Sequence, residues 1–131
     1  MLEPLERILY LEDVQAIADV AVIALEDIAG FQVRHADRGA KALASLDSFR
    51  PQLCLFDVMV PDMDGPETLR QIRATAGHAG MPAIFITAKA QAHEQEKYAH
   101  MDILGVIAKP FDPISLGDTI REMWAKAGLG A

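Results

Sequence analysis

The chain has a single cysteine, Cys54, in 131 residues, so no internal disulfide can form. Cys54 lies inside the apolar run Leu53 to Phe56 and reads as a small core residue suited to a reducing compartment. Basic residues are also in deficit, with 12 Lys and Arg against 19 Asp and Glu and a formal net charge of -7. Non-specific binding to nucleic acid draws its affinity from Lys and Arg neutralising phosphates, so no nucleic-acid partner is expected on this chain. No apolar run approaches the roughly 18 residues of a membrane span. The acidic N-terminus with its Pro4 has the wrong composition for a secretory signal. A cytoplasmic location without membrane association is therefore expected. Internal repeats, low-complexity tracts and linkers are absent from the sequence.

What is present is 51% apolar and 24% charged residues, in a length that suits one domain with a core and not two. Four short apolar runs recur: Ile8 to Leu11, Leu53 to Phe56, Ala83 to Ile86 and Leu104 to Ala108. Continuous apolarity, instead of alternation, is what a strand covered on both faces requires, so these predict parallel strands. A fifth segment, Phe31 to His35, alternates more and is expected nearer an edge.

Helical patterns fall between the strands. Val14, Ile17, Ala18, Ala21, Val22, Leu25 and Ile28 share one face at helical spacing, with Gly30 as a stop. A second helix is expected over roughly Gly39 to Phe49, with Leu43 and Leu46 inward and Pro51 beyond its end. A third begins at Asp64-Gly65-Pro66, where the aspartate can cap and the proline suits the first turn; Leu69, Ile72 and Ala76 face the sheet. A fifth uses Leu116, Ile120, Met123, Trp124 and Ala127. The fourth, about Gln91 to Met101, has small alanines as its main inward candidates and little apolar area to bury. It is the weakly held element, expected to move. Five βα units in this length predict a doubly wound parallel α/β sheet with five helices.

Polar residues stand where the buried strands end: Glu12 and Asp13 after the first, Asp57 after the third, Thr87 after the fourth, Lys109 after the fifth. In an open parallel sheet the carboxyl ends converge on one edge, which is where such folds bind ligands. Three carboxylates together repel one another and call for a cation. An all-oxygen set favours Mg²⁺, with Mn²⁺ able to substitute. Lys109 can pair with Asp57 at rest and with phosphoryl oxygens afterwards, and the Thr87 hydroxyl can donate to those oxygens. Phosphoryl transfer needs positioning and charge neutralisation more than covalent help. Asp57, ending the central strand, is the nucleophile candidate.

The acidic pair in Leu11-Glu12-Asp13, the segment Phe56-Asp57-Val58-Met59-Val60-Pro61-Asp62-Met63-Asp64-Gly65, the turn Ile86-Thr87-Ala88 and the segment Ala108-Lys109-Pro110-Phe111 resemble response-regulator receiver domains of two-component signalling. The order and spacing of all four match, from about Arg7 to Lys126. The resemblance implies a flavodoxin-like sheet of order 2-1-3-4-5 in one receiver domain over residues 1–131, with a core of about 7–126. It implies phosphorylation of Asp57 by a histidine kinase or histidine phosphotransfer protein, and Mg²⁺ bound by Asp13, Asp57 and the backbone carbonyl of Met59, with Glu12 acting through metal-bound water. It further implies that Thr87 and Lys109 coordinate the phosphoryl group, that the Lys109-Pro110 bond is cis, and that Ala88 leaves access for the donor. The only chemistry expected is its own phosphoryl transfer and self-dephosphorylation. A downstream protein target is expected on the face of the fourth helix, fifth strand and fifth helix.

Two features depart from the family pattern. Val106 stands where many receivers carry Tyr or Phe, three positions before the lysine, so the usual aromatic readout is missing. Met59 and Lys89 occupy the positions that set how fast the phosphoryl group hydrolyses; a methionine orients an attacking water poorly and its bulk shields phosphorus, so a persistent phosphoform is expected. The alternative function is an unphosphorylated receiver-like interaction module, against which the full set of acidic pair, Asp57, Thr87 and Lys109 argues. A nucleotide- or flavin-binding domain fails at the first βα turn, where Glu12 and Asp13 stand in place of glycine-rich amides. A metabolite-directed aspartyl-phosphate hydrolase lacks room for a cap domain. His93 and His100, seven apart on one helix face, read as surface residues before a metal site, and His35 and His78 carry no signal.

Overall fold

The computed structural model describes residues 3–130. Five parallel strands, β1 (Arg7–Leu11), β2 (Gln32–Ala36), β3 (Leu53–Asp57), β4 (Ala83–Thr87) and β5 (Gly105–Ala108), form one sheet in the order β2-β1-β3-β4-β5. Every residue of β3 and β4 is buried, which accounts for the apolar runs Leu53 to Phe56 and Ala83 to Ile86 that precede the polar ends Asp57 and Thr87. β2 is an edge strand whose residues alternate between exposed and half-buried before Ala36 closes it.

The strand period of two divides the core into two layers. Ile8, Tyr10, Leu53, Leu55, Ile84, Ile86 and Ile107 face a cluster closed by α1 (Gln15–Val22) and α6 (Leu116–Lys126). Leu9, Leu11, Cys54, Phe56, Ala83 and Phe85 face the other, closed by α2 (Gly39–Ala44), α3 (Leu46–Phe49) and α4 (Gly65–Ala74).

Several helix boundaries differ from the sequence expectations. Beyond α1 the helix continues over Ile23–Ile28 with π geometry. Within this widened turn Ala24 and Leu25 are buried and Ile28, expected inward, is 47% exposed; Val14, also expected inward, is the N-cap before α1 and is 45% exposed. Gly30 ends the segment at φ +85, a conformation open to glycine without steric cost. The second helix is split in two, giving six α-helices among the described residues where five are expected; at the break the Ser45 hydroxyl donates to the Lys41 carbonyl. Ala42 and Leu46 are buried there, whereas Leu43 is half-buried. The third begins as expected, with the Asp64 carboxylate accepting from the Glu67 N–H at 2.9 Å, but ends at Ala74 and leaves Ala76 exposed outside it. Ala127 likewise falls beyond α6 and is exposed. The expected fourth helix shrinks to α5 (Ala92–Glu96) and a single 3₁₀ turn at Ala99–Met101.

Candidate functional site

Alternation along the strands places Glu12 beyond Tyr10, Asp57 beyond Leu55 and Lys109 beyond Ile107, so all three side chains rise from the carboxyl edge on the α1 and α6 side. β1 and β3 are neighbours, and the long Lys109 side chain reaches across β4 to join them. Its ammonium lies 2.6 Å from Glu12 Oε1 and 2.8 Å from Asp57 Oδ2. The pairing with Asp57 is the one expected; the second bond, to Glu12, was not foreseen. One carboxylate oxygen from each of Glu12, Asp13 and Asp57 lies within 4.8 Å of the others.

The three acids differ in access. Glu12 is completely buried, Asp13 is exposed, and the Asp57 side chain keeps 6% of its surface. Asp57 is therefore recessed with a narrow opening, and exposed Asp13, Met59 and Ala88 stand nearby in the chain segments around it. Its other oxygen, Oδ1, accepts the Met59 N–H at 3.1 Å, which fixes the carboxylate plane. Gly65 packs against the backbone of the same residue: a Cβ there would sit 2.4 Å from the Asp57 carbonyl oxygen, so only glycine fits.

Burial pushes the Glu12 carboxyl above the ordinary glutamate range, opposed by the Lys109 ammonium and the Val14 N–H. For Lys109, burial works to lower the pKa, but the bonds to Asp57 and Glu12 outweigh it and hold the ammonium charged. With the carboxylates ionised, three negative charges against one ammonium leave two uncompensated. An oxygen-only set with that residual charge fits a hard divalent cation.

The remaining sequence candidates are less tightly joined. Thr87 is buried at the end of β4, where its hydroxyl accepts the Lys89 N–H at 3.1 Å and its carbonyl accepts the Lys109 N–H at 2.9 Å. The Lys109-Pro110 bond is cis. Met59 is 68% exposed, so its side chain points to solvent instead of shielding the carboxylate. Lys89 is exposed as well, and Val106 is half-buried against the opposite layer, paired with Phe85 in the sheet register.

Two supporting residues escaped the sequence analysis. His35 Nε2 lies 2.8 Å from the Glu12 carbonyl and braces the first acidic loop from the edge strand. Tyr10 lies fully buried beneath the site, its hydroxyl without a hydrogen-bond partner among the described residues. Burial, reinforced by the charges of Glu12 and Asp57, pushes its phenol well above the ordinary range, so it is a neutral group. The inward position of Tyr10 was readable from strand alternation, but its lack of a partner was not.

Response regulator Rre1 of Synechocystis is 28% identical over 126 residues, 96% of this chain and 54% of the relative. Transcriptional regulatory protein CreB of Escherichia coli is 30% identical over 118 residues, 90% of this chain and 50% of the relative. The chain thus spans about half the length of these curated relatives. Among solved structures, chemotaxis response regulator CheY4 of Vibrio cholerae superposes with a TM-score of 0.82 at 25% identity, covering 92% of this chain and 99% of that one. A CheY-like receiver domain protein of Methanospirillum hungatei gives a TM-score of 0.79 at 30% identity, covering 95% and 98%. The model of the response regulator receiver domain matches residues 8–121, the stretch that carries the carboxylate pocket, and the chain belongs to that family.

Proposed function

We propose that this chain is a phosphorylation switch in which Asp57 accepts a phosphoryl group from a histidine kinase or histidine phosphotransfer protein. The observation that carries the reading is the convergence of Glu12, Asp13 and Asp57 with the Lys109 ammonium bridging two of them. In the proposal, Asp13, Asp57 and the Met59 carbonyl would hold Mg²⁺, or Mn²⁺ in its place, with Glu12 acting through metal-bound water. The bound cation would neutralise charge on the carboxylates and the incoming phosphoryl group.

The chain's own residues do the positioning. Asp57 attacks phosphorus through Oδ2 as the phosphorus–nitrogen bond of the donor phosphohistidine breaks and its imidazole departs, so the ammonium of Lys109 passes from that oxygen to the phosphoryl oxygens and keeps its second bond to Glu12. The Met59 N–H keeps Oδ1 in place while this occurs. Thr87 turns its hydroxyl from the Lys89 N–H to the phosphoryl group, drawing the loop at Ala88 with it; Ala88 leaves the approach open. Hydrolysis of the acyl phosphate resets the switch, slowly because the Met59 thioether orients an attacking water poorly. A cytoplasmic location and a downstream target on the α5, β5 and α6 face belong to the same proposal.

Intact-mass spectrometry after incubation with acetyl phosphate and Mg²⁺ tests it. One phosphoryl adduct is expected on the parent and none on Asp57→Asn. An unmodified parent would leave the unphosphorylated interaction module as the better reading, and an equally modified variant would put the phosphoryl group on a residue other than Asp57.

A further inference from the structure

The position of Val106 leaves the sheet without the aromatic side chain that the family commonly places there, yet an aromatic ring lies in that region from another element. Tyr98, in the turn between α5 and the 3₁₀ turn, meets Phe85 edge-on with ring centroids 5.1 Å apart and an interplanar angle of 80°. Phe85 is paired with Val106 in the sheet register, and all three side chains belong to the same apolar layer. Thr87 follows Phe85 by two residues on β4, on the same face of the strand.

We propose that Tyr98 is the positioning residue that couples Thr87 to α5, filling from the helix side the place that β5 leaves open at Val106. The inference rests on the phosphoacceptor reading above. Its physical basis is the way the segment from Lys89 to Leu104 is held. The side-chain bonds of α5 are local: Lys97 to Glu94 at 2.8 Å, and the Gln95 amide to the Ala90 carbonyl at 2.8 Å. Long-range tethers lie after α5. They are the Tyr98 ring on Phe85, the buried Met101, and the Arg73 guanidinium donating to the carbonyls of Met101 and Asp102. Arg73 also donates twice to the Met81 carbonyl, which fixes this end of the segment to the foot of β4.

With its far end anchored in this way, also by the Leu104 N–H donating to the Ala83 carbonyl of β4 at 2.8 Å, the segment meets the upper part of β4 at two places: the loop that follows Thr87, and the Tyr98 ring on Phe85. Displacement of Thr87 shifts the first directly and the second through Phe85. An edge-to-face ring pair of this kind has a directional optimum, so a small rotation of Phe85 changes its contact with Tyr98 and with it the position of α5. The signal leaves the sheet through Tyr98, not through a side chain of β5.

Amide hydrogen exchange of α5, measured with and without beryllium fluoride and Mg²⁺ as a phosphoryl mimic, tests this in four proteins: the parent, Tyr98→Phe, Tyr98→Ala, and Tyr98→Ala with Val106→Tyr. In the parent, exchange in α5 is expected to change by about two- to tenfold on mimic binding, the range set by one aromatic pair. Tyr98→Phe keeps the ring and the response. Tyr98→Ala loses the response while the amides around Asp57 still report mimic binding. Returning an aromatic to β5 with Val106→Tyr restores it. A purely packing role for Tyr98 would alter exchange equally with and without the mimic and leave the ratio unchanged, which overturns the inference. So does a full response in Tyr98→Ala, or no recovery in the double variant. If the amides around Asp57 in the parent ignore the mimic, the phosphoacceptor reading fails and takes this inference with it.

Discussion

Tyr10 combines full burial with a hydroxyl that has no hydrogen-bond partner among the described residues. A buried hydroxyl left unpaired costs more than an apolar group of the same shape. Tyr10→Phe is therefore expected to stabilise the fold by about 1 kcal/mol, read from the urea midpoint; a loss of stability would reveal a partner for the hydroxyl. Lys109 is the opposite case. Removing it in Lys109→Met strands the fully buried Glu12 carboxylate, and breaking such a pair is expected to cost roughly 3 kcal/mol at neutral pH. The sign of its pH dependence follows from the direction of the Glu12 shift. Burial already raises the carboxyl above its ordinary value of 4.5, and loss of the ammonium raises it further. The folded variant then holds a proton that the unfolded chain releases, so its deficit grows as pH rises above the ordinary glutamate range and shrinks as pH falls into it. A deficit independent of pH would mean that Lys109 contributes packing alone.

The strands were readable because the residues covered on both faces must be apolar, as they are in β3 and β4 up to the terminal Asp57 and Thr87. The carboxylate pocket was readable for the same reason, since a polar residue directly after a buried strand has only the sheet edge to occupy. Helix ends were less so. The π turn over Ile23–Ile28 and the break at Ser45 depend on how backbone hydrogen bonds are shared, which an apolar period of 3.6 does not encode. The brace from His35 to the Glu12 carbonyl was invisible because a lone histidine on an alternating edge strand looks like surface. α5 was read as weakly held and is shorter than expected, with exposed or half-buried residues from His93 to Glu96. Its amides are expected to exchange by local opening, well before those of α4 and α6, which bury Leu69, Ile72, Leu116, Ile120 and Trp124. Protection in α5 equal to that of α6 would contradict an element poised to move.

Across the whole molecule, one layer of the core carries the site and the other carries its readout. Glu12, Asp57 and Lys109 rise from the layer closed by α1 and α6, while Phe85, Val106 and Tyr98 lie in the opposite one. Thr87 is the point of exchange, since it ends β4 beside the pocket while sharing the face of Phe85. A chain of net charge -7 gathers three of its acids at one sheet edge and sets a single lysine between two of them, an arrangement that favours a divalent cation and a phosphoryl group together. The direct measurement is to locate the acyl phosphate. After incubation with acetyl phosphate, borohydride reduction converts a phosphorylated aspartate to homoserine, which peptide mass spectrometry identifies. Homoserine at position 57, present with Mg²⁺ and absent with a chelator, is the expected result. Homoserine at another aspartate, or the same yield at Asp57 with the metal removed, would contradict a metal-assisted pocket built on Asp57.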